Sequence, residues 1–227
     1  MKTTLVATRA LLLIAITLVL ASLGTQGIKY FTGHGSLMGM THMLNLNEEV
    51  NIPTFYSVVL LLTCSSLLGL IAYLKGKQHA PYKLHWQILS AGFLLMAADE
   101  FMSFHELFTS MTHSQLHLEN TPWLKYSWVI PGILVIGLIG ISYVRFLQHL
   151  NRTHRIRFLL AGGIYCTAII GMETLGGHYA ALHGADNFTY SLLTTVEEGL
   201  EMFGLILFIN ALLHYIAEQY PHIRIRA

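Results

Sequence analysis

The stretch "ILSAGFLLMAADEFMSFHELF", residues 88–108, begins as a membrane helix and then carries Asp99, Glu100, His105 and Glu106 in close succession. Whether it crosses a bilayer decides how many passes the chain makes. An ionised carboxylate deep in hydrocarbon is tolerated only when it pairs, takes a proton or holds a cation. The segment therefore reads as a membrane pass with chemistry built into it.

The rest of the chain supports that reading. Hydrophobic residues make up 54% of the 227 and charged residues 11%, with a mean hydropathy of +0.55. A soluble domain carries about 25% charged residues. The formal net charge of +1 gives no sign of a nucleic-acid partner. Cys64 and Cys166 both lie inside apolar runs and read as small buried hydrophobes, not as a disulfide or a metal knuckle. There is no Gly-rich phosphate loop, no GxSxG elbow, no CxxC pair and no HExxH.

A bilayer core of about 30 Å needs about 20 apolar residues in a helix. On that scale six spans are expected, at about 9–27, 54–74, 86–109, 127–149, 157–181 and 190–216. The expected fold is thus an all-α polytopic membrane bundle in one domain. Of the 13 Lys and Arg residues, only Lys29 and Lys125 fall on the outer side if the N-terminus is inside. The other 11 (Lys2, Arg9, Lys75, Lys77, Lys83, Arg145, Arg152, Arg155, Arg157, Arg224 and Arg226) then lie inside, which predicts an N-in, C-in topology. The first span has the look of a signal peptide, but its long apolar stretch favours an uncleaved anchor.

Helix geometry next places the acids. At about 1.5 Å per residue, Asp99 and Glu100 lie about 20 Å from the inner boundary, with His105 and Glu106 nearer the outer face. Glu173 falls about 24 Å along span five, with His178 beyond it, and Glu197, Glu198 and Glu201 lie about 10–17 Å below the outer start of span six. Three helices thus bring their acids to one level in the outer half of the membrane. In "TTVEEGLEMFG" the three Glu residues fit within an arc of about 100° and can face one interior cavity. Glu197 or Glu198 is expected to sit behind the other, because adjacent residues rarely both point inward. Glu100/His105 and Glu173/His178 share a Glu-x4-His spacing, about 140° apart on a helix, which chelates one ion only if the helix bulges.

Carboxylates and imidazoles converging from several helices are the donor set of di-metal carboxylate proteins. The expected metal pool is Asp99, Glu100, His105, Glu106, Glu173, His178, Glu197, Glu198 and Glu201, with Fe, Mn or Zn as the ion. The Glu-x-x-His of ferritin-like sites is missing, although Glu198-x-x-Glu201 is present. No Lys or Arg lies at that depth, so the counter-charge must be metal ions, protons or a cationic substrate.

Three readings fit this pattern. One is a metal-dependent membrane enzyme acting on a lipidic or quinone-like molecule that arrives between helices. The second is a proton-coupled transporter or channel using the same acids. The third is a haem b protein with His105 and His178 as axial ligands. Structural hydrogen bonding between neutral acids is the bland alternative for the whole cluster, Glu106 could simply be solvated, and each His could be a satisfied interior residue.

The long outer loop, Ile28–Pro53, is expected to fold back as an interfacial helix. Its His34, Met38, Met40, His42 and Met43 could capture copper, or the Met residues could lie in lipid. Glu48 and Glu49 are placed to cap the second span, or else to gate the outer mouth of the cavity. His113 and His117 could chelate, or lie in a solvated loop.

The stretches "NEEVNIPTFYS", "DEFMSFHE" and "VEEGLEMFG" resemble a broad group of uncharacterised bacterial multi-pass inner-membrane proteins. That group carries Glu-x-Asn-x-Pro-Thr, Asp-Glu-x4-His-Glu and Glu-Glu-x-Leu-Glu-Met patterns. The resemblance implies a bacterial cytoplasmic membrane and no particular activity. It covers most of the chain. Seven-helix membrane hydrolases with a zinc-binding His-x3-His do not fit, because that spacing is absent from the spans.

Overall fold

The long apolar runs fold into helices, because a backbone in hydrocarbon must satisfy its own N–H and C=O groups. The computed structural model describes residues 2–33, 39–116 and 121–221. In chain order the α-helices are α1 (Lys2–Thr32), α2 (Met40–Leu44), α3 (Ile52–Lys77), α4 (Lys83–Met102), α5 (Phe104–Leu116), α6 (Val129–His149), α7 (Arg152–Cys166), α8 (Glu173–His183) and α9 (Phe188–Gln219). A π-helical turn, Thr167–Met172, joins α7 to α8, and a 3₁₀ turn, Pro122–Leu124, precedes α6. No strand occurs among the described residues.

Five helices are long and apolar enough to cross a membrane: Thr4–Thr32, Ile52–Lys77, Val129–His149, Arg152–His183 and Phe188–Gln219. Many of the leucines and isoleucines of α1, α6 and α7 are exposed, Leu13, Leu20, Leu134, Ile141 and Leu160 among them, which is the surface of a multi-pass membrane protein. The expected third span, 86–109, is not one of the five. It is divided at Ser103, which takes a left-handed conformation with φ +56° and separates α4 from α5. A non-glycine residue there is uncommon and needs outside support, and a partner from the loop before α3 supplies it.

Helix α9 is the central post of the bundle, packing against α1, α3, α7, the π turn and α8. Its buried residues join two apolar clusters. One gathers Leu60, Leu61, Cys64, Ala97, Met202 and Ile206 around α3 and α9. The other gathers Trp86, Phe146, Phe158, Leu212, Tyr215 and Ile216. The residue that starts α3, α7 and α9 is in each case an Asn whose side chain accepts a backbone N–H three residues on: Asn51 from Thr54, Asn151 from His154, and Asn187 from Tyr190. Glu48 and Glu49 are therefore not the caps of α3; Asn51 is.

Helices α3 and α4 form the most extensive helix pair. Ser65 and Ser90 each donate to the other's backbone carbonyl at 2.8 Å, and Gly69 one turn on brings the backbones close. Lys29 Nζ pairs with Asp186 Oδ1 at 3.0 Å, tying the end of α1 to the start of α9. That contact and the Tyr30 hydroxyl hold the exposed Asp186 carboxyl below the usual carboxylate range. At the opposite end Asn210 Nδ2 donates to Thr8 Oγ1 at 2.8 Å and Asn151 Nδ2 to Glu218 Oε1 at 3.0 Å.

Other expectations from the outer loop meet a smaller structure. Only the five-residue α2 forms there among the described residues. His34, Met38, His117, Arg224, Arg226 and the side chain of His113 lie outside the described residues. Met40 and Met43 are exposed, and His42 pairs with Glu48. Cys64 is fully buried as expected, whereas Cys166 is half-buried in a shallow groove against α6.

The contact between α7 and α9 leaves no room for a side chain at Gly204. A Cβ added there would lie 3.0 Å from the backbone N of Tyr165 and 3.2 Å from its Cα, so α7 would have to move. Gly204→Val is expected to cost about 1–3 kcal/mol of stability, read as a lower melting temperature in detergent micelles. Gly199→Ala, whose Cβ would meet only Val19 Cγ2 at 3.5 Å, leaves the melting temperature unchanged or raises it.

Candidate functional site

The break at Ser103 is held from both sides. The Asp99 carbonyl accepts the Ser103 N–H at 2.7 Å, and the Asp99 carboxylate accepts the His105 N–H at 2.8 Å. Asp99 thus caps the first turn of α5, whose leading N–H groups have no helical partner. Its second oxygen lies 3.3 Å from His105 Nδ1. From the loop before α3, Glu49 accepts the Ser103 hydroxyl and approaches His105 Nε2 at 3.9 Å. Glu48 beside it accepts from Asn45 Nδ2 at 2.9 Å.

These groups form one rim of a cavity of about 1030 Å³. The loop contributes Glu48 and Glu49, α4 contributes Asp99 and Glu100, and α5 contributes His105 and Glu106. Facing them are Glu173 at the start of α8 and Glu197, Glu198 and Glu201 on α9. Nine of the chain's 12 Asp and Glu residues therefore line one space, and no Lys or Arg lines it. Glu197 and Glu198, adjacent in sequence, both line it.

Aromatic side chains complete the wall. Trp128 Nε1 donates to Glu173 Oε1 at 3.2 Å, and the Tyr126 and Tyr190 hydroxyls meet at 2.7 Å. Burial pushes the Tyr126 phenol above its ordinary value, so this hydroxyl stays neutral and able to donate. Glu173, Glu197, Glu201 and Tyr165 line the same cavity. The close approach at Gly204 brings the Tyr165 backbone up to α9. The π turn lies before Glu173, not between Glu173 and His178, which share the regular helix α8; it rotates α8 relative to α7, because a π turn carries extra residues per turn.

Of the expected site residues, Asp99, Glu100, His105, Glu106, Glu173, Glu197, Glu198 and Glu201 share the cavity, with Glu106 also exposed. His178 does not line it. Its ring stacks on Trp123 at 3.7 Å and 9°. The pairing of His105 with His178 around a haem is therefore not formed; His105 instead lies against Trp128, ring centroids 5.8 Å apart. Among the described residues no three His, Cys, Asp or Glu side chains stand in an arrangement that could hold a metal ion. The expected ligand pool shares a cavity without forming a ligand set.

Sequence reading passes over Tyr126, Trp128, Tyr165 and Tyr190 as cavity residues. One signal is present for the last of them. Tyr190, Thr194, Glu197, Glu198 and Glu201 follow i, i+4, i+7, i+8 and i+11, a single helix face, and all five line the cavity. Nothing comparable marks Trp128 or Tyr165, which reach the cavity through packing of α6 and α7.

The cavity also has an apolar side. Leu95 from α4, with Val135 and Ile139 from α6, line it while remaining 71%, 53% and 43% exposed. Helices α4 and α6 are clamped only toward the other end of the bundle, where the Tyr143 hydroxyl donates to the His85 carbonyl at 2.8 Å and Trp86 meets Phe146 edge-on. Above that clamp the cavity opens sideways between the two helices, through residues that a bilayer would cover with lipid.

Residues 9–216 match the family described as a domain of unknown function (DUF8692), and the chain belongs to that family. No curated protein and no solved structure matches it.

The capping role of Asp99 is open to direct measurement. Asp99→Ala is expected to remove about 1 kcal/mol of cap stabilisation. Amide hydrogen exchange in the first turn of α5 should then rise about fivefold, with α3 and α9 unaffected. Unchanged exchange at His105 would show that the break does not depend on this carboxylate.

Proposed function

We propose that this DUF8692 protein is a six-span integral protein of a bacterial cytoplasmic membrane, with both termini inside, and that its acidic cavity exchanges protons to drive a solute across. The topology reading is supported by the run of α4 and α5 as one broken pass, and by the bias of Lys and Arg toward the inner ends of the helices. On it, the cavity sits in the outer half of the bilayer.

The observation that carries the functional reading is the charge balance. Nine carboxyl groups line one space, and among the described residues no Lys or Arg lines it. Like charges this close cannot all remain ionised in a low-dielectric site, so protons are the readiest counter-charge and are exchanged with the outside. Glu173, Glu197, Glu198 and Glu201 on the far wall would carry the protons, while Glu49, Asp99 and His105 link the cavity to its outer rim.

In proteoliposomes an imposed pH gradient is expected to give protein-dependent proton flux, reported by an internal pH dye. Glu198→Gln and Glu100→Gln should each reduce it at least tenfold. Flux no greater than in protein-free liposomes would overturn the reading.

The sideways apolar opening favours a second reading, a metal-dependent membrane enzyme acting on a lipidic or quinone-like molecule. Asp99, Glu100, Glu173, Glu198 and Glu201 would have to draw together to hold Fe, Mn or Zn, and a metal would supply Lewis-acid or redox chemistry there. Mildly extracted protein should then carry stoichiometric metal by elemental assay; its absence removes this reading.

A further inference from the structure

We infer that the solute of this cavity is an amphiphilic organic cation, a single positive charge on an apolar body, which reaches the acids from the bilayer between α4 and α6. The inference rests on the proton-exchange reading and names the solute class for it.

The cavity has two unlike halves in the right order. Its sideways opening is lined by Leu95, Val135 and Ile139, and the far wall by acids of α8 and α9. A molecule moving inward from lipid meets hydrocarbon first and carboxylate last. The volume, about 1030 Å³, is far more than a bare ion needs and lies at the upper end of pockets for drug-sized molecules, about 300–1,000 Å³. An anion would find no Lys or Arg on the wall, and a neutral lipid would leave the acids without counter-charge.

Glu197 gives the sharpest pointer. It is only 6% exposed, its side chain opens on the cavity, and among the described residues no N–H and no hydroxyl donates to it. Glu173 lines the same wall. A buried acid facing another acid has a place for a positive head and nothing of the protein's own to fill it. The rings of Trp128, Tyr126 and Tyr190 stand on the same wall, and aromatic faces attract an organic ammonium or phosphonium. The charge balances simply. One monovalent head beside Glu197 supplies one positive charge to a wall of carboxyl groups.

The test uses the full chain in lipid nanodiscs and radiolabelled tetraphenylphosphonium, with tetraphenylborate as a probe of the same shape and opposite charge. Saturable binding of the cation above empty discs is expected, with none for the anion. Glu197→Gln should weaken binding at least tenfold, with Glu198→Gln as the parallel variant should the first fail to fold. Val135→Trp, which fills the opening, should slow association at least tenfold. Equal uptake of both probes, or an affinity indifferent to both Gln variants, would overturn the inference. If proton flux in proteoliposomes is intact while the cation does not bind, the solute class is wrong and proton exchange stands. If both fail, the reading of the cavity falls with it.

Discussion

Carboxyl groups gathered in a bundle with an apolar outer surface, with His105 and, among the described residues, no Lys or Arg beside them, are the constraint around which this molecule is organised. In water, the acids of α9 would be ordinary surface charges. Within a bundle whose outer surface is leucine and isoleucine, the wall answers part of that charge with donors of its own, the Trp128 indole to Glu173, the Ser103 hydroxyl to Glu49 and the His105 N–H to Asp99.

Holding such a cavity open requires rigidity nearby. Helix α9 packs on five neighbours, α1, α3, α7, the π turn and α8, and presents Glu197, Glu198 and Glu201 from the middle of the bundle. The opposing wall is less regular. The chain breaks at Ser103, turns its carboxylate Asp99 back to start α5, and is tied by Glu49 to the loop that begins α3. A continuous helix would have carried His105 and Glu106 onward along one axis. The break sets them across the cavity from Glu173. The π turn on the other side has a similar effect, reorienting α8 relative to α7. Both irregularities lie against the cavity, where departures from helical regularity are useful and where neighbouring groups can satisfy the freed backbone.

The clamp between α4 and α6 at one end and their separation at the other give the cavity its second character. The cavity presents exposed aliphatic side chains, Leu95, Val135 and Ile139, on one side and carboxyl groups on the other.

The sequence by itself determined the helical, membrane-type fold, because apolar run length and backbone hydrogen bonding leave little choice in hydrocarbon. It also determined that the acids of α4, α8 and α9 would meet, because rise per residue sets depth and 100° per residue sets direction. Those are local rules and they carried. What they could not reach was decided by contacts distant in sequence. α4 and α5 are separate helices divided at Ser103, whose hydroxyl donates to Glu49, some fifty residues earlier. Glu48 and Glu49 line the cavity because Asn51 took the capping role. His178 left the expected ligand set because Trp123 offered a flat ring on which to stack. In each case a side chain had two plausible partners, one near in the chain and one near only in space, and tertiary packing chose between them.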